Sequence, residues 1–135
     1  MADIDLPELY LKTEVEIEEA GRLVPVRDSA LVQRAVVYVI TAWNPGDARP
    51  LRAENDAADM QLLIELKSRG CRPVRAVGTD PESEHFEESW AVVGLDDHEA
   101  RTIGASFGQV AVFRIADGVQ TVLACTEDWS LSRPL

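Results

Sequence analysis

The sequence predicts a single α+β domain, an α/β sandwich-like fold on a mixed or antiparallel sheet. Three observations lead there. Residues 53–69 place Ala53, Ala57, Met60 and Ile64 on one stripe, at the spacing of an amphipathic helix. Residues 36–40, Val-Val-Tyr-Val-Ile, form an apolar, β-branched run without alternation, as in a central strand covered on both faces. Asp117-Gly118 stands between two apolar runs, the strongest short-range signal for a type I′ hairpin. A chain of 135 residues is close to the commonest size of one domain. It buries about two thirds of its unfolded surface, so neither a disulfide nor a metal is needed for stability.

Each element follows from its local pattern. Residues 1–8 are expected to be irregular. From residue 9 to 17, Lys12, Glu14 and Glu16 interleave with Leu11, Thr13, Val15 and Ile17, the period of two of a half-buried strand. Gly21 then precedes Leu23-Val24-Pro25-Val26, an edge strand, because Pro25 cannot donate to a ladder. Residues 29–34 allow one or two helical turns. The strand at 36–40 stops at Trp43, before the turn makers Asn44-Pro45-Gly46. The helix at 53–69 has Glu54, Asp56 and Asp59 near its start and Lys67 and Arg69 near its end, which suits the helix dipole. Its buried stripe is expected to be Ala53, Ala57, Met60 and Ile64, with Leu63 beside it and Gly70 as cap.

Residues 72–77 and 90–95 read as strands, with a polar loop at 78–88 between them. Asp96 and Glu99 form a capping-box pattern. The helix it starts buries Ala100, Ile103, Gly104 and Phe107, and Gly108 ends it. Residues 110–116 and 121–125 are the arms of the hairpin, and 127–135 are expected to be irregular. The order gives a β-α-β-β-α-β core, the split pattern of ferredoxin-like folds, between an N-terminal strand pair and a C-terminal β-hairpin. The helices have two possible placements, on one face or on opposite faces. The unbroken apolar run at 36–40 favours opposite faces.

Composition excludes partners better than it names them. There are 24 Asp and Glu against 13 Lys and Arg, a formal net charge of -11. Such a field repels a phosphate backbone, so no nucleic-acid partner is expected. Imitation of DNA toward a basic protein partner is one use of acidity, and plain solubility is the favoured one. No apolar run approaches the ~20 residues of a membrane span. The opening Met1-Ala2-Asp3-Ile4-Asp5 lacks the order of a signal peptide. Cys71 and Cys125 have no second Cys or His at metal spacing; free buried thiols in a reducing, cytoplasmic setting are expected.

Chemistry is concentrated at one place. In open α/β sheets, ligands sit beyond the carboxyl ends of strands, and Thr41-Ala42-Trp43-Asn44-Pro45 occupies such an end. Trp43 offers a flat apolar face, and Asn44 two donors and an acceptor. The competing reading is a turn in which Asn44 bonds its own backbone and Trp43 caps the core. Asn55 opens the next helix, Glu88 precedes a strand, and Gln109 sits between a helix and a strand. His85 beside Glu87 and Glu88 matches no zinc spacing, and His98 reads as a surface residue. Gly104 and Gly108 do not open a helix, so no phosphate loop is present. Ser29, Ser83, Ser89 and Ser106 lack a nucleophile elbow. No cofactor or metal is expected.

Thr41-Ala42-Trp43-Asn44-Pro45, Glu54-Asn55, Glu87-Glu88-Ser89 and Phe107-Gly108-Gln109-Val110-Ala111-Val112-Phe113 together resemble the signature of a family. It is a family of small bacterial proteins catalogued as a domain of unknown function. The likeness runs from Tyr10 to Leu123, and Tyr10 and Thr13 fit its opening strand. The family brings no activity with it. The resemblance implies that the polar residues of these segments belong together.

Three functions follow as expectations. The first is a small cytosolic binding module whose polar pocket, at the end of the central strand, is lined by Thr41, Trp43, Asn44, Asn55, Glu88 and Gln109. A small polar molecule such as a nucleotide base or an amino acid suits it. The second is a hydrolase or transferase with Glu88 or Glu54 as general base, which needs burial to raise the carboxylate pKa. The third is an acidic interaction module. Its only concentration of charge is Glu14, Glu16, Glu18 and Glu19, most simply a solvated strand face. Oligomeric state is not readable from the sequence.

Overall fold

The described residues open on a helix. In the computed structural model, which describes residues 6–46 and 48–135, α1 spans Leu6–Leu11. Residues 6–8 are therefore helical rather than irregular, while 1–5 lie outside the described residues. Pro7 lies in the first turn, where a helix needs no amide donor, and the alternation from Leu11 onward becomes a strand only at Glu14. β1 (Glu14–Glu19) and β2 (Arg22–Pro25) form a hairpin. Its turn residues Ala20 and Gly21 have φ of 52° and 82°, as a type I′ turn requires. Pro25 is on an edge strand, as its missing donor demands. A single 3₁₀ turn (Val26–Asp28) and the short α2 (Ala30–Arg34) follow. Ser29 caps α2, its hydroxyl oxygen accepting from the Val32 amide at 3.3 Å.

The remaining elements are β3 (Val37–Thr41), α3 (Arg52–Ser68), β4 (Val74–Thr79), β5 (Phe86–Val92), α4 (Asp97–Ser106), β6 (Ala111–Ala116), β7 (Val119–Ala124) and β8 (Ser130–Pro134). Among the described residues, all eight strands join one antiparallel sheet in the order β2-β1-β4-β5-β3-β6-β7-β8, curled into a half-barrel. The fold is α+β. Asp117 and Gly118, at φ of 53° and 74°, turn β6 into β7. β8 corrects the expectation of an irregular tail. Its alternating half-exposure marks an outer strand, and Pro134 is tolerated at the open edge. The expected loop at 78–88 is shorter than its polarity suggested. β4 runs on to Thr79 and β5 starts at Phe86, so Glu87 and Glu88 are strand residues.

Both long helices lie on one face of the sheet. Leu62 and Leu66 of α3 and Ala100 and Ile103 of α4 share one core with Tyr38, Ile40, Val92 and Val112. The opposite-face placement is thus wrong, although β3 is covered on both sides. Val37 and Val39 point the other way, into a second core with Val15, Ile17, Val32 and Ile115. There the curl of the sheet and the short α2 supply the cover. The expected stripe of α3 is also wrong. Met60 and Ile64 are each 53% exposed, while Asn55, Asp59, Leu62 and Leu66 are buried. Two polar residues thus occupy the first half of the buried face, and a stripe drawn through apolar residues alone misses it.

The end of the half-barrel beside α1 is tied by side chains to backbone. Gln120 Nε2 donates to the Thr13 carbonyl at 2.9 Å, and Arg133 Nε to that of Leu11 at 2.7 Å. These bonds hold the α1–β1 connection across the concave face, where it forms one wall of a cavity.

Candidate functional site

The segment after β3 is stitched to two other parts of the chain. Asn44 has φ of 49°, a left-handed conformation that Asn adopts more readily than most residues. In that conformation its amide N–H donates to Asn55 Oδ1 at 3.0 Å, and Asn55 Nδ2 donates back to Asn44 Oδ1 at 3.0 Å. Gln109 Nε2 donates to the Trp43 carbonyl at 3.0 Å, and the Gly46 amide to the Gly108 carbonyl at 3.0 Å. Gly108 is at φ of 71°, and a Cβ there would lie 2.8 Å from Pro45 Cβ. The β3–α3 loop and the α4–β6 turn therefore form one packed unit, which explains why distant segments share polar residues.

That unit forms one side of a cavity of about 270 Å³ on the concave face, opposite the long helices. Thr41, Asn44 and Gln109 line it, as do Val39, Ala111 and Phe113 along its apolar floor. Glu87 is the polar centre. Its Oε2 accepts from Asn44 Nδ2 at 2.8 Å and lies 3.6 Å from His85 Nε2. Asn44 and Gln109 are 7% and 9% exposed, so this wall is largely removed from water. Thr41 Oγ1 is already engaged, donating to the Glu88 carbonyl at 2.7 Å and accepting from the Trp43 amide at 3.0 Å.

The other sequence candidates lie elsewhere. Asn55 sits behind Asn44 and acts on the cavity only through it. Trp43 is buried outside the cavity, against Phe86 at 5.6 Å between ring centroids and under Arg52 at 4.8 Å. Its Nε1 has no hydrogen-bond partner among the described residues. Glu88 points to the helix side of β5 and pairs with Arg75 at 3.3 Å. Arg75 also forks onto Asp59 at 3.0 and 3.1 Å and stacks 3.7 Å over Trp90. Glu54 accepts from the Leu51 amide at 3.1 Å, capping α3 at the surface.

Sequence reasoning missed Glu87, His85, Arg49, Lys12 and Tyr10, all of which line the cavity. A signal for Glu87 was present. With period two, Glu87, Ser89 and Ala91 share one face of β5 while Phe86, Glu88, Trp90 and Val92 share the other. The bulky set belongs under the helices, so the small set and Glu87 must face the concave side. Lys12 and Tyr10 carried no such signal, since the position of α1 and of its connection to β1 depends on bonds to β7 and β8.

A family model described as "Protein of unknown function (DUF3293)" matches residues 40–112, more than half of the chain. The chain belongs to that family. The DUF3293 match begins at the end of β3 and stops within β6. It takes in the β3–α3 loop, Asn55, Glu87, Glu88 and Gln109, and leaves out Tyr10, Thr13 and Leu123. No curated protein and no solved structure matches this DUF3293 chain. Among its described residues, no helix is long and apolar enough to cross a membrane.

Proposed function

We propose that this protein is a small binding module that holds a small polar molecule in the concave cavity at the end of β3. The observation that supports this best is the wall made by Asn44, Glu87 and Gln109. It sets a carboxylate and amide groups beside an apolar floor of Val39, Ala111 and Phe113. Mostly apolar concavities with a few convergent polar groups are the usual form of small-molecule sites. The reading takes β3-α3-β4-β5-α4-β6 as a β-α-β-β-α-β core that carries the site. Supporting this, β5 lies between β4 and β3, with β6 on the far side of β3. The free thiols Cys71 and Cys125 support a reducing, cytoplasmic setting, and the net charge of -11 disfavours nucleic acid as a partner.

An enzyme with Glu88 or Glu54 as general base finds little support, since both are committed to other contacts and neither lines the cavity. An acidic docking surface on β1 finds little as well. Glu19 is turned to Ser29 at 2.6 Å, which leaves Glu14, Glu16 and Glu18 as a short strand face.

The test is thermal shift against a panel of amino acids, nucleobases, small amines and small carboxylic acids. At least one should raise the midpoint by several degrees, as a ligand far above its Kd does. Ala111→Leu, which fills the cavity floor, should abolish the shift. A panel with no stabilising member, or a shift that survives Ala111→Leu, would overturn the reading.

A further inference from the structure

Most donors of the cavity wall are used up inside the protein. Asn44 Nδ2 is given to Glu87, Gln109 Nε2 to the Trp43 carbonyl, the Thr41 hydroxyl to the Glu88 carbonyl and the Ser89 hydroxyl to that of Glu87. The acceptors are not. Glu87 engages Asn44 and His85 through Oε2 and leaves Oε1. Gln109, 9% exposed, has an Oε1 that accepts no hydrogen bond among the described residues. A half-buried carboxylate and a free carbonyl lining one cavity call for a ligand group that brings donors and positive charge.

The cations around the cavity are unequal. Lys12 faces Glu82 at 4.0 Å, whereas Arg49 makes no ion pair among the described residues. A guanidinium without a carboxylate partner suits a ligand carboxylate. Asp80, Glu82 and Glu87 line the same cavity, so a polyanion is disfavoured. Val39, Ala111 and Phe113 line the same cavity. The volume of about 270 Å³ is that of roughly nine waters at ~30 Å³ each, enough for a compact molecule with an apolar side chain.

We propose that the cavity binds a free α-amino acid with an apolar side chain, its ammonium on the Glu87–Gln109 wall and its carboxylate at Arg49. This rests on the binding reading above. A nucleobase presents acceptors together with donors on its hydrogen-bonding edge, and the Thr41–Asn44–Ser89–Gln109 wall keeps a single donor to meet them, the second N–H of Asn44 Nδ2.

The experiment is isothermal titration with L-leucine and the other apolar L-amino acids. Isopentylamine and 4-methylpentanoate serve as analogues lacking one charge each, and adenine and cytosine as competing chemistry. At least one amino acid should bind, with each single-charge analogue at least tenfold weaker. Glu87→Gln and Arg49→Ala should each weaken that amino acid at least tenfold, while the melting temperature of the free protein stays within a few degrees. Full affinity in either variant would overturn the assignment. So would adenine, cytosine or a single-charge analogue binding, in a manner abolished by Ala111→Leu, while the amino acids are silent; the cavity reading would then survive. Silence of every probe, including the wider panel, would overturn both.

Discussion

Asn44 and Asn55 hold each other through two reciprocal hydrogen bonds, each 3.0 Å long, one to backbone and one between side chains. The pair anchors the left-handed turn after β3 to the first turns of α3, and it leaves Asn44 Nδ2 free to orient Glu87. Asn55→Ala would strand a buried amide N–H and a buried carbonyl oxygen. Each such loss costs about 1–3 kcal/mol, so urea unfolding should show a loss on the order of 2–6 kcal/mol. Asn44→Gly accepts φ of 49° without strain and keeps the backbone bond to Asn55 Oδ1, but should still be destabilised, because Asn55 Nδ2 loses its acceptor and Glu87 its Asn44 donor. A change below about 1 kcal/mol in both variants would mean that the pair does not anchor the loop.

The close approach of α4 to the sheet depends on Gly104. A Cβ there would lie 2.6 Å from both Cys125 Sγ and Val112 Cγ1. Gly104→Ala should therefore destabilise by about 1–3 kcal/mol, the usual range for overpacking, despite the better helix propensity of Ala. Cys125→Ala removes one of the two clashing atoms. The double variant should be less destabilised than the sum of the singles, which a double-mutant cycle measures directly. Strict additivity would show that helix α4 shifts away instead.

The two faces of α3 give the plainest account of what was legible in the sequence. Its existence, the caps of α4 and the Asp-Gly hairpin are local, and they could be read from spacing and turn chemistry. The buried face could not, because Asn55 and Asp59 occupy it to serve the Asn44 turn and Arg75. A search for apolar stripes therefore chose the exposed residues Met60 and Ile64. The same holds for the site. Asn44 and Gln109 were visible as polar residues at junctions, but choosing Glu87 over Glu88 required knowing which face of β5 the helices cover. Leu62→Ala should cost about 2–5 kcal/mol, as for a buried leucine, whereas Ile64→Ala should stay within about 1 kcal/mol. Equal costs in urea unfolding would contradict the observed orientation of the helix.

Asp97 at the start of α4 gives an acid-sensitive contact. Burial works against its charged form, but hydrogen bonds from Tyr38 Oη at 2.6 Å and from Arg114 outweigh it, and its pKa is lowered. The unfolded carboxyl titrates near 3.9. The contribution of Asp97 is thus fully present above about pH 4 and is lost as pH falls through the lower folded value. Asp97→Asn cannot titrate, so its stability should fall less steeply than that of the parent below pH 4. Unfolding free energies measured from pH 6 to pH 2 decide this; parallel curves would remove Asp97 as a source of acid lability.

Glu87 and Glu88 are neighbours in sequence with opposite fates, and their variants should separate folding from binding. Glu88 adds a third contact to an Arg75 already forked onto Asp59 and stacked on Trp90. Asp59 has the more buried carboxylate, its side chain 11% exposed against 27% for Glu88. Asp59→Asn should therefore approach the roughly 3 kcal/mol of a broken buried pair. Glu88→Gln, which leaves the fork intact, should cost about 1 kcal/mol or less. Neither residue lines the cavity, so Glu88→Gln should bind an apolar amino acid like the parent, while Glu87→Gln loses binding and keeps its stability. Thermal unfolding and titration on the same preparations test both halves. Loss of binding in Glu88→Gln with stability unchanged would move the site to the helix side of the sheet.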